Sequence, residues 1–284
     1  MRDRGTEVFK YVLLSVLIPL VFSIACSDES PLVPEADLVV MRAYLFAGEP
    51  VTEIRLTSSL ELGSVDSVAP PVEDAKVYLT KDGTRYALQP TAGRPGFYDY
   101  PGNDLAVEAG DEFMIETGYL GRVATASTVV PSKPAQVGVY PDQLSVQELS
   151  FGFGGGRFRN DDTTAVQVTW ANPGGESYYV TLENIESDPT PIFEPPAGFE
   201  NRRPLRFVSI PVNSGEYRIT RRSVTYFGTH KVKVYRVNQE YVDLYLSRNQ
   251  DSRDLNEPLT NVTGGLGIFT AFNSDSVFIE VVVE

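Results

Sequence analysis

Apolar and polar residues alternate along most of this 284-residue chain, and this two-residue period constrains its fold more than any other feature. Successive side chains of an extended strand point to opposite faces, so the alternation predicts strands with one buried face. The clearest series consists of Val39, Met41, Ala43 and Leu45. Helical periodicity is scarce. The chain is therefore predicted to be all-β.

Two turn signals join neighbouring series into hairpins. Residues 81–84 read Lys-Asp-Gly-Thr and residues 119–122 read Tyr-Leu-Gly-Arg. Glycine accepts the positive φ of a tight hairpin turn, which makes both places typical connections between antiparallel strands. A single short helix is predicted near residues 237–245, where apolar side chains recur at helical spacing.

Two segments of the chain are predicted to form separate domains. Residues 36–131 would be an N-terminal β-sandwich, residues 132–136 a proline-bounded linker, and residues 137–284 a C-terminal β-sandwich. The first segment resembles prealbumin-like or carboxypeptidase-regulatory-like sandwiches around residues 75–79, Ala-Lys-Val-Tyr-Leu. The second resembles immunoglobulin-like or fibronectin-III-like sandwiches, because Trp170 is followed by a glycine-rich turn and a tyrosine-rich strand. Trp170 is predicted to be a core residue, the alternative being a ligand platform.

The N-terminal residues have the pattern of a lipoprotein signal peptide. Residues 11–25 are almost wholly apolar, long enough for a signal-peptide core but shorter than the ~20 residues of a spanning helix. The run ends at Ala25 and Cys26, and Cys26 is the only cysteine in the chain. We expect residues 1–25 to be cleaved between Ala25 and Cys26, and Cys26 to be acylated. A plain secreted protein is the alternative.

Residues 26–35 are expected to form a flexible tether between the acylated cysteine and the body. Acidic residues directly behind the cysteine resemble the export signal of Bacteroidota-type surface lipoproteins. The expected location is therefore the outer membrane, with lipid contact through Cys26 and the body facing the cell exterior. The periplasmic face is the alternative.

Charge and cysteine content exclude several classes of function. The formal net charge is −14, so the body is repelled by phosphate backbones, and nucleic-acid binding is not expected. A single cysteine and a single histidine exclude disulfides and a zinc site built from these residues. No cofactor is expected.

The remaining candidates for chemistry are weak patterns. His230 lies in a strand pattern without a nucleophile motif, so it is predicted to be a structural or surface histidine rather than a catalytic one. Acidic residues that could bind calcium lack the spacing of a calcium loop, and no metal site is assigned. These residues are Asp161, Asp162, Asp251, Asp254 and Asn256.

A glycine-rich stretch beginning at residue 151 carries aromatic and basic side chains. It lacks the lysine and the following helix of a phosphate-binding loop, so it is interpreted as a connection. Exposed aromatic residues among glycines can contact a partner, the alternative being the apolar start of a strand. The candidate contact residues are Phe151, Phe153, Arg157 and Phe158.

The chain from Cys26 onward resembles the family of lipoproteins known as domain of unknown function 4249. The resemblance rests on residues 41–51, 75–79 and 129–131, and most specifically on residues 261–269, Asn-Val-Thr-Gly-Gly-Leu-Gly-Ile-Phe. Such proteins are often encoded beside TonB-dependent outer-membrane receptors. The resemblance implies an accessory role in uptake and carries no catalytic residue.

The expected function is therefore a non-catalytic accessory or binding component of a TonB-dependent uptake system, with a barrel receptor as its protein partner. A surface adhesin or envelope scaffold is the alternative. A carboxylate-dependent hydrolase is a remoter alternative, because no spacing singles out a pair of carboxylates.

Overall fold

The computed structural model describes residues 38–60, 68–146, 164–193, 205–247 and 260–284. Within these ranges the chain consists of β-strands, one α-helix and one short 3-10 turn, which confirms the predicted all-β fold with a single short helix. The helix, α1, covers Gln239–Ser247, and the 3-10 turn covers Arg221–Ser223.

Sixteen strands are present in the described ranges. In chain order they are β1 (Val39–Phe46), β2 (Ile54–Ser58), β3 (Lys76–Lys81), β4 (Thr84–Ala87), β5 (Gln89–Pro90), β6 (Phe97–Asp99), β7 (Glu112–Tyr119), β8 (Arg122–Val129), β9 (Ala135–Tyr140), β10 (Gln143–Val146), β11 (Ala165–Ala171), β12 (Ser177–Asn184), β13 (Arg206–Val208), β14 (Glu216–Thr220), β15 (Gly228–Val237) and β16 (Leu266–Val283).

Both predicted hairpins are confirmed. Strands β3 and β4 are joined through Asp82 and Gly83, which have φ values of 49° and 76°. Strands β7 and β8 are joined through Leu120 and Gly121, with φ values of 48° and 75°. Positive φ at both central residues matches the right-handed twist of the flanking strands, which is why these short connections form.

The first sandwich encloses a core made mainly by the N-terminal half of the chain, with Phe269 and Ala271 added from β16. One layer is the sheet β4-β3-β7-β8, and the other contains β1, β2 and β6. Met41, Leu56 and Ile115 are among its fully buried side chains. The Tyr98 hydroxyl donates a hydrogen bond to Val72 O (2.9 Å) and accepts one from Ala75 N (3.1 Å), so this buried phenol is fully paired.

The second sandwich encloses a separate core. The sheet β14-β11-β9 faces β10, β12, β13, β15 and the second half of β16. Trp170 is buried in this core and its ring lies 5.3 Å from that of Tyr178, which confirms its prediction as a core residue. Its indole Nε1 finds no hydrogen-bond acceptor among the described residues.

Strand β16 belongs to both sandwiches. It runs for 18 residues, and its first part pairs in parallel with β1, from Val40↔Leu266 to Phe46↔Phe272. Its second part pairs with β15, and its end pairs with β10. Phe269 packs into the first core and Ile279 into the second. One continuous sheet therefore carries both cores.

This pairing bears on the domain boundaries, which stay predictions. Residues 266–272, predicted as part of the second domain, complete the sheet of the first sandwich. The predicted linker crosses the same strand, because Asn273 donates to Pro131 O (2.9 Å) and Lys133 pairs with Asp275 (3.0 Å). The linker is thus held against β16.

The segment just before β16 closes the first sandwich by close backbone contact. Asn261 donates from its amide to Phe269 O (2.7 Å) and accepts from Phe269 N (3.0 Å). Gly267 has a φ of 108°, and a Cβ there would overlap Met41 O. Only glycine allows this approach. The residues that most specifically carry the family resemblance therefore perform a structural task.

An aromatic cluster lies on the outer face of the shared sheet where the two sandwiches meet. Its buried members are Tyr179, Tyr235 and Phe272, and the first two rings stack 4.7 Å apart. Tyr241 of α1 packs against Phe272 at 5.1 Å and covers the cluster. Burial raises the pKa of Tyr179. The helix thus shields the junction.

The parallel pairing gives the molecule two distinct ends. We call the end at which Leu38 leads into β1 the entry end; it lies beside Leu266. We call the end at which β16 finishes at Val283 the far end. A strand of this length extends about 60 Å. The N-terminal segment therefore joins the body at the end opposite the closing strand's C-terminus.

Candidate functional site

One concave site lies towards the far end, at the edge of the second sandwich. Here the short edge strand β13 and the 3-10 turn after β14 leave a cavity of about 220 Å³ between the two sheets. We call it the arginine cleft. Leu182, Phe207 and Val224 form apolar walls, and Arg206 and Arg222 line it together with His230.

The residues that line the cleft come from separate elements. Arg206 begins β13, which pairs with β12 through Glu183↔Arg206. Arg222 lies in the 3-10 turn that leads from one sheet towards the other. Ser223 and Thr225 also line the cleft and add hydroxyl groups. Because Phe207 faces the core beside Leu182, the neighbouring Arg206 side chain points to the other face of the sheet, where its charge acts on Tyr179.

His230, at the base of the cleft, is a buried structural residue with 3% of its surface exposed. Its Nδ1 lies 2.9 Å from Gly228 O, a carbonyl that can only accept, so Nδ1 donates. Its Nε2 lies 3.4 Å from Asn184 Nδ2, which donates to it. Both ring nitrogens are therefore used within the fold by a neutral imidazole.

Burial is the largest influence on this ring and lowers the pKa of His230, while the Gly228 carbonyl, Glu280 and Glu186 act in the opposite direction. The Glu186 carboxylate accepts a hydrogen bond from Thr229 N (2.8 Å), which holds the pKa of Glu186 below its usual value. His230 therefore adds no positive charge to the cleft at neutral pH.

A second concave surface lies beside α1. This open groove of about 780 Å³ runs between the first turn of the helix and the sheet that contains β7 and β8. Glu240 Oε1 accepts hydrogen bonds from Thr128 Oγ1 (2.9 Å) and Thr270 Oγ1 (3.0 Å). Asn238 donates to Val129 O (2.8 Å). These polar groups attach the helix to the first sandwich. The groove therefore follows from the way in which the helix packs on the sheet.

The residues singled out from the sequence for lipidation, cleavage and partner contact lie outside the described residues. They are Ala25, Cys26, Phe151, Phe153, Arg157 and Phe158. The calcium candidates also lie there: Asp161, Asp162, Asp251, Asp254 and Asn256. Within the described ranges, no group of three or more His, Asp or Glu side chains could hold a metal ion.

The sequence analysis missed the arginine cleft, although one signal pointed to it. Between Leu205 and Arg222 the chain carries four arginines and a single acidic residue, Glu216, in a protein with 38 acidic and 24 basic residues. Local reversal of charge in so acidic a chain is a binding-site signal. The contribution of His230 could not be found in this way, because it comes from a different strand.

Comparison with known proteins identifies the family. The profile described as "Domain of unknown function (DUF4249)" matches residues 26–277. The chain belongs to this family. The resemblance found in the sequence is thereby confirmed, and the family's description states no activity. None of the helices in the described ranges combines the length and apolarity that a membrane crossing requires.

Two solved structures are similar over much of the chain. The FN1–FN3 domains of chicken CNTN1 share 11% identity, covering 87% of this chain and 65% of that one, with a TM-score of 0.23. A structure that addresses Dscam isoform specificity shares 12% identity, covering 88% and 47%, with a TM-score of 0.19. This chain thus spans less than two thirds of either. The all-β fold is established by the hydrogen-bonded sheets of this chain itself. No curated protein matches the sequence.

Proposed function

We propose that this protein is a lipid-anchored accessory of the outer membrane that binds, without catalysis, a ligand or barrel receptor of a TonB-dependent uptake system. The anchor is the acylated Cys26, and residues 26–35 are the tether. The body faces the cell exterior.

The observation that carries the proposal is the position of the arginine cleft relative to the entry end. Strand β1 starts beside Leu266, whereas His230 pairs with Ile279 near the other end of the same strand. A body tethered through its N-terminus therefore holds the cleft away from its anchor. This arrangement suits a protein that presents a binding site to something beyond the lipid surface.

The chemistry of the cleft supports binding rather than turnover. A general base must have a free lone pair within reach of the proton that it removes. Both nitrogens of His230 are engaged, with Gly228 O at 2.9 Å and with Asn184 Nδ2 at 3.4 Å. His230 therefore has a structural task in the cleft and does not act as a general base.

The experiment is an affinity recovery of the tagged protein from gently solubilised outer membrane, followed by mass spectrometry. We expect stoichiometric recovery of a TonB-dependent barrel. Cys26→Ala should release the protein into the soluble fraction and abolish this recovery, because acyl chains supply about 0.8 kcal/mol per buried methylene. Ser27→Ala, which keeps the thiol, is the matched control and should behave as the parent.

Two results would contradict the proposal. Retention of Cys26→Ala in the membrane fraction would show that Cys26 does not anchor the protein. Recovery of the lipoprotein alone, with binding to matrix or surface glycans, would favour an adhesin or scaffold instead.

A further inference from the structure

We infer that the entry end of the body makes a second contact with the membrane, where apolar side chains at its turns enter the headgroup region and arginines bind lipid phosphate groups. This inference deepens the proposed function by stating how the anchored body is oriented. It rests on that function only in assigning the contact to the membrane that holds the Cys26 anchor.

The tip of the β7–β8 hairpin is the first observation. Leu120 occupies the first central position of this turn, has a φ of 48° and leaves 62% of its surface exposed. Asparagine, aspartate and glycine are the residues that this left-handed conformation favours, and Asp82 holds the same position in the β3–β4 hairpin. A leucine at this position is strained and gains little from burial within the fold. Its apolar side chain is therefore explained by a contact outside the chain.

Two further apolar side chains are exposed at the same end. Val123 follows the hairpin turn, and its carbonyl lies against Gly264, just before β16 begins. Val68 precedes Pro70, whose carbonyl accepts a hydrogen bond from Ser58 N beside the start of β1. Both valines are more than half exposed, at 55% and 72%. Together with the hairpin tip, they give the entry end three exposed apolar side chains at or next to its turns.

Two arginines lie on the outer face of the sheet near this end. Arg42 of β1 and Arg55 of β2 are directly opposite each other in register, whereas the adjacent Met41 and Leu56 face the core. Arg42 is three residues from Val39, about 10 Å along the strand. Like charges directly opposite each other on a sheet are destabilising. An anion outside the chain would remove this repulsion.

Within the described ranges, no carboxylate neutralises this arginine pair. Glu53 instead pairs with Arg94 (2.7 Å), and Asp99 accepts a hydrogen bond from Glu53 N (2.7 Å). The Arg94 guanidinium lies 4.0 Å from the centroid of the Phe97 ring, and that of Arg55 lies 5.6 Å from the same ring. The aromatic ring thus holds two guanidinium groups in place on the open strand face.

This chemistry fits an anionic lipid surface. The arginines lie on a strand face and line neither of the cavities described above, so each can reach a separate phosphate group. Apolar side chains beside cations match the boundary between acyl chains and charged headgroups. Leu38 is twelve residues after Cys26, so an extended chain between them spans at most about 40 Å and keeps the entry end near the bilayer.

The net charge of −14 is compatible with this contact. Charges separated from the lipid by more than a Debye length, about 8 Å at physiological ionic strength, are largely screened, so the nearest arginines dominate. The acidic remainder of the body is repelled by the surface, which favours an orientation with the far end pointing away from the lipid.

The contact is weak and reversible without the anchor. It acts at the high local concentration that the anchor sets, so Cys26→Ala is still released when membranes are diluted and washed. The test therefore uses the chain from residue 26 onward with Cys26→Ala, at low ionic strength and with lipid in excess. Sedimentation compares vesicles of phosphatidylcholine alone with vesicles of which one third is phosphatidylglycerol.

We expect stronger binding to the anionic vesicles than to the neutral ones, and release by added salt. Arg42→Gln and Arg55→Gln should each weaken binding to the anionic vesicles about fivefold, because each removes one cation close to the surface. Arg85→Gln is the matched control and should leave binding unchanged, since its guanidinium is paired with Glu116.

Leu120→Asn separates membrane contact from folding. It should weaken binding to the anionic vesicles about fivefold or more, because it removes an inserted apolar side chain. Its melting temperature should stay unchanged or rise, because asparagine suits the turn. Leu246→Asn changes a leucine of α1 with 57% of its surface exposed and should leave binding unchanged.

The inference is overturned if the body does not bind anionic vesicles, or if either control variant weakens binding as much as the entry-end variants. Self-association that Leu120→Asn abolishes would assign the apolar side chains to a second copy of the chain and would also overturn it. Vesicle binding without receptor recovery would count against the proposed function alone. Receptor recovery by a protein whose body does not bind vesicles would count against this inference alone.

Discussion

At the entry end, backbone packs directly on backbone, whereas towards the far end the two sheets of the second sandwich separate around a charged cavity. Gly267 lies against Met41, and Asn261 bonds to Phe269 in both directions, so these described residues pack without a gap at the entry end. The far end holds the arginine cleft over a buried neutral His230. The residues that carry the family resemblance most specifically thus close the first sandwich, whereas the cleft is lined by a region of weaker sequence pattern.

This contrast teaches that a specific motif need not mark a site of chemistry. Residues 261–269 carry the resemblance most specifically in the sequence, and in the structure they allow the close approach of β16 to β1, with Gly267 as the clearest case. The residues that line the arginine cleft lie on short surface elements, where the sequence has no comparable pattern.

The largest predicted effect concerns the close packing of β16 on β1 at the entry end. Gly267→Ala should destabilise the fold by more than about 5 kcal/mol, because the added Cβ overlaps Met41 O and forces β1 and β16 apart. Strand β16 is shared, so both cores should unfold together in one transition. The measurement is chemical denaturation followed by Trp170 fluorescence, which reports the second core.

Gly83→Ala is the matched control, since Gly83 also has a positive φ but no atom lies within 4 Å of the position that a Cβ would occupy there. It should lower the free energy of unfolding by only about 1–2 kcal/mol. If Gly267→Ala and Gly83→Ala lowered the free energy of unfolding equally, the contact between Gly267 and Met41 O would not be the cause of the loss.

The second prediction concerns the core of the second sandwich. Trp170→Ala should lower the free energy of unfolding by about 3–5 kcal/mol, since it empties a buried aromatic site. Trp170→Phe should cost less than half of this, because the indole N–H has no described acceptor and its loss removes no hydrogen bond. Calorimetric unfolding of both variants provides the test. An unchanged melting curve for Trp170→Ala would show that the side chain does not support the core.

The smallest predicted effect is the pH dependence due to His230. Its pKa is lowered in the folded state, so below about pH 6.5 the unfolded chain takes up a proton that the folded chain resists. The resulting stability is complete above this pH and is lost as the pH falls towards the folded pKa. Glu186 also loses stabilisation on acidification, but only near and below its ordinary pKa of 4.5.

His230→Gln isolates this contribution, because glutamine does not titrate. Between pH 7.5 and pH 5.5 the parent protein should lose more stability than the variant in urea denaturation. A parent that became more stable on acidification would show that Glu280, Glu186 or another carboxylate outweighs burial at this ring.

Local pattern predicted the elements well and their long-range pairing poorly. Alternation identified β1, and turn chemistry identified the hairpins at Gly83 and Gly121, because both signals are contained within a few residues. The sharing of β16 could not be predicted, since a two-residue period shows that a strand has a buried face but not which strand lies beside it.

The site was harder still to predict. The arginine cleft requires residues from β13, a 3-10 turn and β15, and only the fold brings Arg206, Arg222 and His230 together. Excess of arginine over acidic residues between residues 205 and 222 was visible in the sequence. It indicated a positive surface but could not indicate a cavity, because cavity shape depends on how the two sheets separate.

The proposed function requires that the far end, and not the entry end, meets the partner. The most direct measurement places a photo-crosslinking amino acid at Leu205, on the rim of the cleft with 49% of its surface exposed, and separately at Val123, near the entry end with 55% exposed. Illumination of intact cells should link the protein to an outer-membrane barrel from position 205 and not from position 123. Crosslinks to such a barrel from position 123 alone, or from neither position, would contradict the account.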